Sequence, residues 1–125
     1  MLTARCASPT DDLTALWPES VGHTMNREQV FVVVDEDRLL AGLLMFHGGH
    51  SLAYTGSIVF AAAEAQGRLA HRLLAFTRDW CRARGIHLMG HGAGTLECCE
   101  IFTRLGASLT RHHLFMELAI EEKEE

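Results

Sequence analysis

The sequence lacks several features that mark large classes of protein. Only two of its 125 residues are proline, both near the amino terminus, so no proline-rich linker divides the chain. No apolar run reaches the roughly 18 to 20 residues that a membrane-spanning helix needs. The amino-terminal residues contain no apolar stretch of the kind that a secretory signal carries. These absences predict a cytoplasmic protein without a membrane partner.

The charge balance argues against a general nucleic-acid binder. Sixteen acidic residues outnumber eleven basic ones and give a net charge of -5, whereas nucleic-acid binding needs a basic face. Four of the acids lie in residues 121–125, which we expect to form a frayed, solvated tail. The hydrophobic share of 48% predicts one globular domain over residues 1–125.

Cysteine and histidine are present without the spacing of a metal or disulfide site. The four cysteines form no CxxC pair, and we expect reduced, mostly buried thiols. The eight histidines are loosely spaced and have no cysteine at ligand distance in the sequence. We therefore predict no bound metal.

The pattern of apolar residues predicts a mixed α/β fold in the order β-α-β-β-β-α-β-α-β. Strands are predicted where apolar, often β-branched residues run together or alternate, and helices where they recur every three or four positions. The predicted strands are residues 2–7, 30–34, 39–46, 52–61, 86–89 and 108–120. The predicted helices are residues 8–17, 67–84 and 96–105. Gly56, inside the third of the central strands, indicates a bulge or a close backbone approach.

The segment from Ser57 to Leu74 has the features of an anion site. A strand ends in small residues, and a turn leads directly into a helix whose first N–H groups have no partner within the helix. Arg68, His71 and Arg72 lie in the first turns, where each cation opposes the helix dipole at a cost of about 0.3 to 1 kcal/mol. A bound phosphate would reverse that cost; alternatively, the side chains extend into water, which screens it.

The same segment resembles the acyl-CoA motif of the GNAT superfamily of N-acetyltransferases, (R/Q)-x-x-G-x-(G/A)-x-x-L-L. Ala70 matches the second small position, and Leu73-Leu74 match the paired leucines. Two positions depart from the motif: Ala65 replaces the usual Arg or Gln, and Arg68 replaces the first Gly.

A second segment, residues 95–107, resembles the family pattern N-x-x-A-x-x-x-(Y/F)-x-x-x-G-F. Phe102 and Gly106 match in register. Three other positions differ, with Thr95, Cys98 and Ala107 in place of Asn, Ala and Phe. The resemblance covers about residues 28–118, and it implies a GNAT-like fold.

The resemblance also implies an enzyme that moves an acetyl group from acetyl-CoA to an amine. The pantetheine arm of acetyl-CoA would pair with the backbone like an added strand, and the N–H groups at the helix start would hold the pyrophosphate. The implied donor-binding residues are Ile58, Val59, Phe60, Gln66, Gly67, Arg68, Leu69, Ala70, His71 and Phe102. The acceptor stays open between a small amine, an antibiotic, a peptide amino terminus and a lysine.

Three residues are candidates for moving protons in such a reaction: Glu64, His91 and Tyr54. Many family members use a tyrosine as the acid at the position of Phe102, which has no proton to donate. Tyr54 is the only tyrosine in the chain; the alternative is a packed strand residue. His91 ends a predicted strand at the expected carboxyl edge, and Glu64 precedes the phosphate turn. Their alternatives are a solvated turn histidine and a capping carboxylate.

Two rival functions are also consistent with the sequence. The first is a GNAT-fold protein that binds CoA without catalysing transfer, which Phe102 and Arg68 favour. The second is a relative in fold alone that acts through protein contacts, with a homodimer built on the last strand as one form of it. Only the first of these rivals predicts binding of CoA.

Overall fold

A single mixed sheet organises the described part of the chain. The structure is a computed structural model that describes residues 1–22, 25–47, 52–56, 58–62, 65–86, 88–92, 104, 108–109 and 115–120. Its strands are β1 (Leu2–Cys6), β2 (Val30–Asp35), β3 (Arg38–His47), β4 (Leu52–Thr55), β5 (Val59–Phe60), β6 (Leu88–Gly92), β7 (Ser108–Leu109) and β8 (Phe115–Ala119). Its helices are α1 (Glu19–Gly22) and α2 (Gln66–Ala83), with 3₁₀ turns at Leu13–Ala15 and Arg27–Gln29.

The strands are ordered β1-β2-β3-β4-β6-β8-β7 across the sheet, and β5 pairs with β3 beside β4. All neighbouring pairs are antiparallel except β4 and β6, which are parallel. Helix α2 lies in the chain between the two parallel strands. The mixed α/β character of the fold is thereby confirmed.

Helix α2 covers one face of the sheet. Its apolar side is fully buried at Ala70, Leu73 and Leu74, and these residues pack on Phe31 and Leu43 of the two central strands. The helix ends as its sequence predicts: Gly85 adopts φ +70°, and the N–H of Ile86 reaches the carbonyl of Cys81 at 3.0 Å. This is the usual left-handed stop for a helix.

The amino-terminal segment covers the opposite face. Leu13 is buried there against Val30 and Val32, and Trp17 packs beside it. Gly42 of β3 allows this close approach, because a Cβ at that position would lie 2.8 Å from the Trp17 ring. The sheet is therefore a central layer, with α2 on one side and an irregular amino-terminal layer on the other.

The predicted first helix over residues 8–17 is wrong. The segment instead forms the 3₁₀ turn Leu13–Ala15, and α1 begins only at Glu19. Asp12 competes for the local backbone, because its carboxylate accepts the N–H of Thr14 and caps the short turn. Pro18 then separates that turn from α1, since proline has no N–H to continue a helix.

The predicted strand over residues 52–61 is two strands. Strand β4 ends at Thr55, and β5 starts at Val59 after the interruption at Gly56. The predicted strand over residues 108–120 is likewise divided into β7 and β8, which pair with each other. The predicted helix over residues 96–105 lies outside the described residues except for Arg104, which is helical. The acidic tail, residues 121–125, also lies outside them.

The described helices include none that is both long enough and apolar enough to cross a membrane.

A partly buried ion pair ties the amino-terminal segment to the first strand. Arg5 of β1 donates two hydrogen bonds to the carboxylate of Asp11, at 2.7 and 2.9 Å. The N–H of Ser8 donates to the same carboxylate at 2.7 Å. These contacts, chiefly the hydrogen bonds from Arg5, lower the pKa of Asp11 to about 2. The side chain of Asp11 is only 9% exposed, so solvent screens the pair weakly.

We predict that Asp11→Asn lowers the free energy of unfolding at pH 7 by about 1 to 2 kcal/mol. Because the pKa of Asp11 is lower in the folded state, its stabilisation is present above about pH 4 and is lost as the pH falls towards 2. Urea unfolding should therefore give free energies of unfolding for wild type and variant that differ at pH 7 and approach each other as the pH falls from about 4 to 2. Glu28→Gln, at an exposed carboxylate, is the control. A difference that persists unchanged at pH 2 would contradict the account.

Candidate functional site

In the described part of the sheet, β5 has an open edge beyond the point where β4 and β6 stop pairing. The parallel register runs from Leu52 opposite Leu88 to Thr55 opposite His91 and then ends. Beyond it, the N–H of Gly56 bonds to the Leu44 carbonyl at 2.9 Å, and β5 pairs only with β3 among the described strands. The chain thus turns away from β6 and leaves one edge of β5 without a strand partner in the described part of the sheet.

The backbone of β5 offers hydrogen-bonding groups along that open edge. In an antiparallel pair only alternate residues bond across to the partner strand. The N–H of Ala61 bonds to the Leu40 carbonyl at 3.0 Å, and Val59 is the register partner of Gly42. The backbone groups of Phe60 and Ile58 therefore face away from β3. An extended ligand could bind there as an added strand.

The turn after β5 presents the start of α2 to solvent. Ala65 precedes the helix in the left-handed conformation, with φ 57° and ψ 25°, and no side chain caps the first turn. The first helical bond to Ala65 comes from the N–H of Leu69, at 3.0 Å. The N–H groups of Gln66, Gly67 and Arg68 consequently have no helical partner, and the first turn contains no acid. This end of α2 suits an anion.

Cationic side chains extend from the same end of the helix. Arg68, His71 and Arg72 are exposed, and all three line a groove of about 1010 Å³ that runs along α2 beside β1. Asp79 is the only acid among the described residues that line the groove, and it already pairs with Arg78 at 3.1 Å. The sequence prediction of a cation cluster at the helix start is consistent with this arrangement.

Two further arginines near this end of α2 were not among the predicted site residues. Arg104 lines the groove with the cations of α2, and Arg38 lines a smaller cavity of about 450 Å³ together with Arg68 and Ala62. Neither carries a local sequence signal, because each reaches this region through tertiary packing from a distant element. Residues 96–105 were predicted as a helix, but nothing in the pattern placed that helix beside α2.

The structure gives the strand register of two of the three proton-transfer candidates, His91 and Tyr54. His91 lies opposite Thr55, the last residue of β4, and so at the point where the parallel strands part. Tyr54 lies opposite Gly90, one register position away on the neighbouring strand. Glu64 lies outside the described residues, as does Phe102 among the predicted donor-binding residues.

Two of the four cysteines lie within the described residues. Cys81 is buried under α2, and burial raises the pKa of its thiol to about 11. Cys6 is exposed at the end of β1, and the expectation of mostly buried thiols stays a prediction for Cys98 and Cys99. Within the described residues, no cluster of three or more His, Cys, Asp or Glu side chains is arranged to hold a metal ion.

Comparison by sequence finds no relative. No protein-family profile matches the chain, and no curated protein sequence matches it.

Comparison by structure gives a consistent result across the full chain. The ribosomal-protein-S18-alanine N-acetyltransferase from Escherichia coli superposes with a TM-score of 0.76 at 17% identity, over 100% of this chain and 97% of that one. YncA from Salmonella typhimurium, a putative acetyltransferase solved with its cofactor acetyl-CoA, gives 0.67 at 17% identity, over 99% and 96%. A GCN5-related N-acetyltransferase from Kribbella flavida gives 0.68 at 18% identity, over 94% and 97%.

The chain therefore has the fold of the GNAT acetyltransferases, and its sequence has diverged far from theirs. The resemblance in the two sequence segments is confirmed at the level of fold. Identities below 20% do not carry the activity, acceptor or partners of those proteins to this chain.

Proposed function

We propose that this protein is an acyl-CoA-dependent N-acetyltransferase that transfers the acetyl group of acetyl-CoA to an amine. The observation that carries the proposal is the open edge of β5, which is followed in the chain by the uncapped start of α2. One site thus offers an open strand edge for an amide-containing arm and free N–H groups for an anion. Acetyl-CoA has both parts in one molecule, and YncA, with the same fold, holds acetyl-CoA in its crystal structure.

The described residues fit the donor in size and charge. The pantetheine arm would pair with the free backbone groups of Ile58 and Phe60 as an added strand. The pyrophosphate oxygens would accept hydrogen bonds from the N–H groups of Gln66, Gly67 and Arg68. The helix dipole reinforces the partial positive charge of these groups. Arg68 replaces the glycine usual in the motif, and its exposed side chain can flank the pyrophosphate without blocking those N–H groups.

The chemistry would be direct transfer without a covalent enzyme intermediate. The amine nitrogen attacks the thioester carbonyl carbon, a C–N bond forms, and the C–S bond breaks. A base takes one proton from the attacking nitrogen, and the departing CoA thiolate gains a proton from an acid or from water. Cys81, the buried cysteine, is unsuited to carry the acyl group because its thiol pKa is raised to about 11.

We assign the role of base to His91 because its backbone lies where the strands part. That is where the thioester would lie if the pantetheine arm follows β5. Tyr54, the only tyrosine in the chain, lies opposite Gly90, one register position before His91, and therefore on the other face of the sheet. We therefore assign the proton for the departing thiolate to water. Glu64, the third candidate, precedes α2 in the sequence.

A second candidate function is CoA binding without transfer. The specific observation in its favour is Phe102, which occupies the position of the family's usual tyrosine acid. Both functions require the donor site, so binding of CoA alone does not separate them. Turnover with an amine separates them.

We predict that calorimetric titration detects micromolar binding of acetyl-CoA and CoA and little binding of ATP, since ATP lacks the pantetheine arm.

Arg68→Gln should weaken acetyl-CoA binding by about threefold to tenfold, because a cation beside the pyrophosphate is lost. Arg82→Gln, about four turns further along the same helix, is the matched control and should leave the affinity unchanged. Absence of binding by every CoA species would refute the donor site, and tighter binding by Arg68→Gly would refute the role of Arg68.

We predict that His91→Ala lowers kcat by about a hundredfold or more, because the attacking amine loses its base. Acetyl-CoA affinity should not change. Measurement of initial rates at saturating acetyl-CoA with a reactive amine tests this directly. An unchanged kcat would remove His91 from the mechanism.

A further inference from the structure

Strand β1 is an edge of the sheet whose backbone is open along one side. It lies at one end of the strand order and pairs only with β2 among the described strands. The N–H of Ala7 bonds to the Val30 carbonyl at 2.9 Å, and bonded residues alternate along an antiparallel ladder. Thr3 and Arg5 therefore bond to β2, whereas the N–H and carbonyl of Ala4 face outwards. An open edge of this kind can accept another extended segment as an added strand.

The groove of about 1010 Å³ between this edge and α2 has an apolar part. Leu2 and Ala4 contribute to it from β1, and Ala75 and Phe76 contribute from α2. All four side chains are half-buried, so each leaves part of its apolar surface in contact with water. A ligand that covered this surface would be stabilised by removing it from water.

The charge of the groove is strongly unequal. Arg68 and Arg72 lie one turn apart on α2, and Arg104 lines the same groove. Asp79 is the only acid among the described lining residues, and its carboxylate already lies 3.1 Å from Arg78. Within the described part of the chain, neither Arg68 nor Arg72 has a carboxylate within ion-pair distance. The groove therefore carries excess positive charge on a chain whose net charge is -5.

We propose that the open edge of β1 and this groove together bind an extended, acidic segment of another protein. The backbone of that segment would pair with the outward N–H and carbonyl of Ala4 as a strand beside β1. Because side chains alternate along a strand, every second one would face the groove. Carboxylates would lie beside Arg68 and Arg72, and an apolar side chain would lie beside Phe76, one turn further along α2.

The charges favour an acidic partner over a second copy of this chain. Residues 2–6, which form β1, include no carboxylate and one arginine, Arg5. Two copies paired edge to edge through β1 would therefore bring no negative charge from that strand to the arginines of the groove.

The proposed surface also extends beyond the donor site. Arg68 lies in the first turn of α2, beside the proposed pyrophosphate position, whereas Arg72 and Phe76 lie one and two turns further along the helix. A segment bound to β1 and Arg72 can therefore be held at the same time as CoA. The inference does not rest on the proposed function.

Fluorescence anisotropy with a labelled, end-blocked peptide of sequence TETETVT tests the inference. Its matched counterpart, TQTQTVT, has the same strand-forming residues without the carboxylates. Saturating CoA is present, so that the donor occupies the start of α2. We expect TETETVT to bind and TQTQTVT to bind about tenfold more weakly, with the difference shrinking as salt is raised.

Two variants test the two parts of the surface. Arg72→Gln should weaken TETETVT binding by about fivefold, whereas Arg84→Gln, beyond the end of α2 and outside the groove, should leave it unchanged. Ala4→Pro removes an N–H that β2 does not use, so the fold should persist while binding weakens by about fivefold or more. Ala4→Ser keeps the N–H and should bind as wild type does. Circular dichroism checks that each variant is folded.

The outcomes separate this inference from the donor site. Equal binding of the two peptides, or binding that neither Arg72→Gln nor Ala4→Pro weakens, overturns the inference. Displacement of TETETVT by CoA would assign the arginines to the donor and also overturn it, as would self-association through β1 without peptide binding. Binding of TETETVT that both variants weaken, in a protein that binds no CoA, supports the acidic-segment site and removes the donor site instead.

Discussion

The candidate site depends on where the pairing between β4 and β6 stops. Two parallel strands that stayed paired to their ends would leave no free backbone between them. Here the ladder ends at Thr55 and His91, although Gly56 and Gly92 follow directly. The bond from Gly56 to Leu44 holds the chain on β3 instead, so β5 keeps one partner and exposes its other edge. The uncapped start of α2 follows β5 in the chain after a short turn.

Much of this arrangement follows from local sequence patterns. The β-branched run of β2 and the threefold and fourfold spacing of apolar residues in α2 predict those elements, and Gly85 predicts the end of the helix. Gly56 indicated a bulge or a close backbone approach within one strand, whereas the structure ends β4 just before Gly56 and starts β5 at Val59. The cations at the start of α2 indicated an anion site, because they oppose the dipole unless an anion is present.

Other features could not be predicted because tertiary contacts decide them. The amino-terminal segment has good helix-start residues, yet Asp12 caps a short 3₁₀ turn and Asp11 is engaged by Arg5 of β1. The splitting of residues 52–61 depends on which carbonyl of β3 receives the Gly56 N–H. The chain thus has the GNAT fold although its identity to the three compared structures is below 20%.

Hydrogen exchange of the backbone amides with and without CoA tests the central claim most directly, because the proposed donor contacts are mostly backbone N–H groups. The account predicts that CoA slows exchange at Phe60 and at Gln66, Gly67 and Arg68, while the amides of β1 and β2 are unaffected. Protection confined to other parts of the chain, or no protection at saturating CoA, would contradict the claim that the edge of β5 and the start of α2 form one donor site.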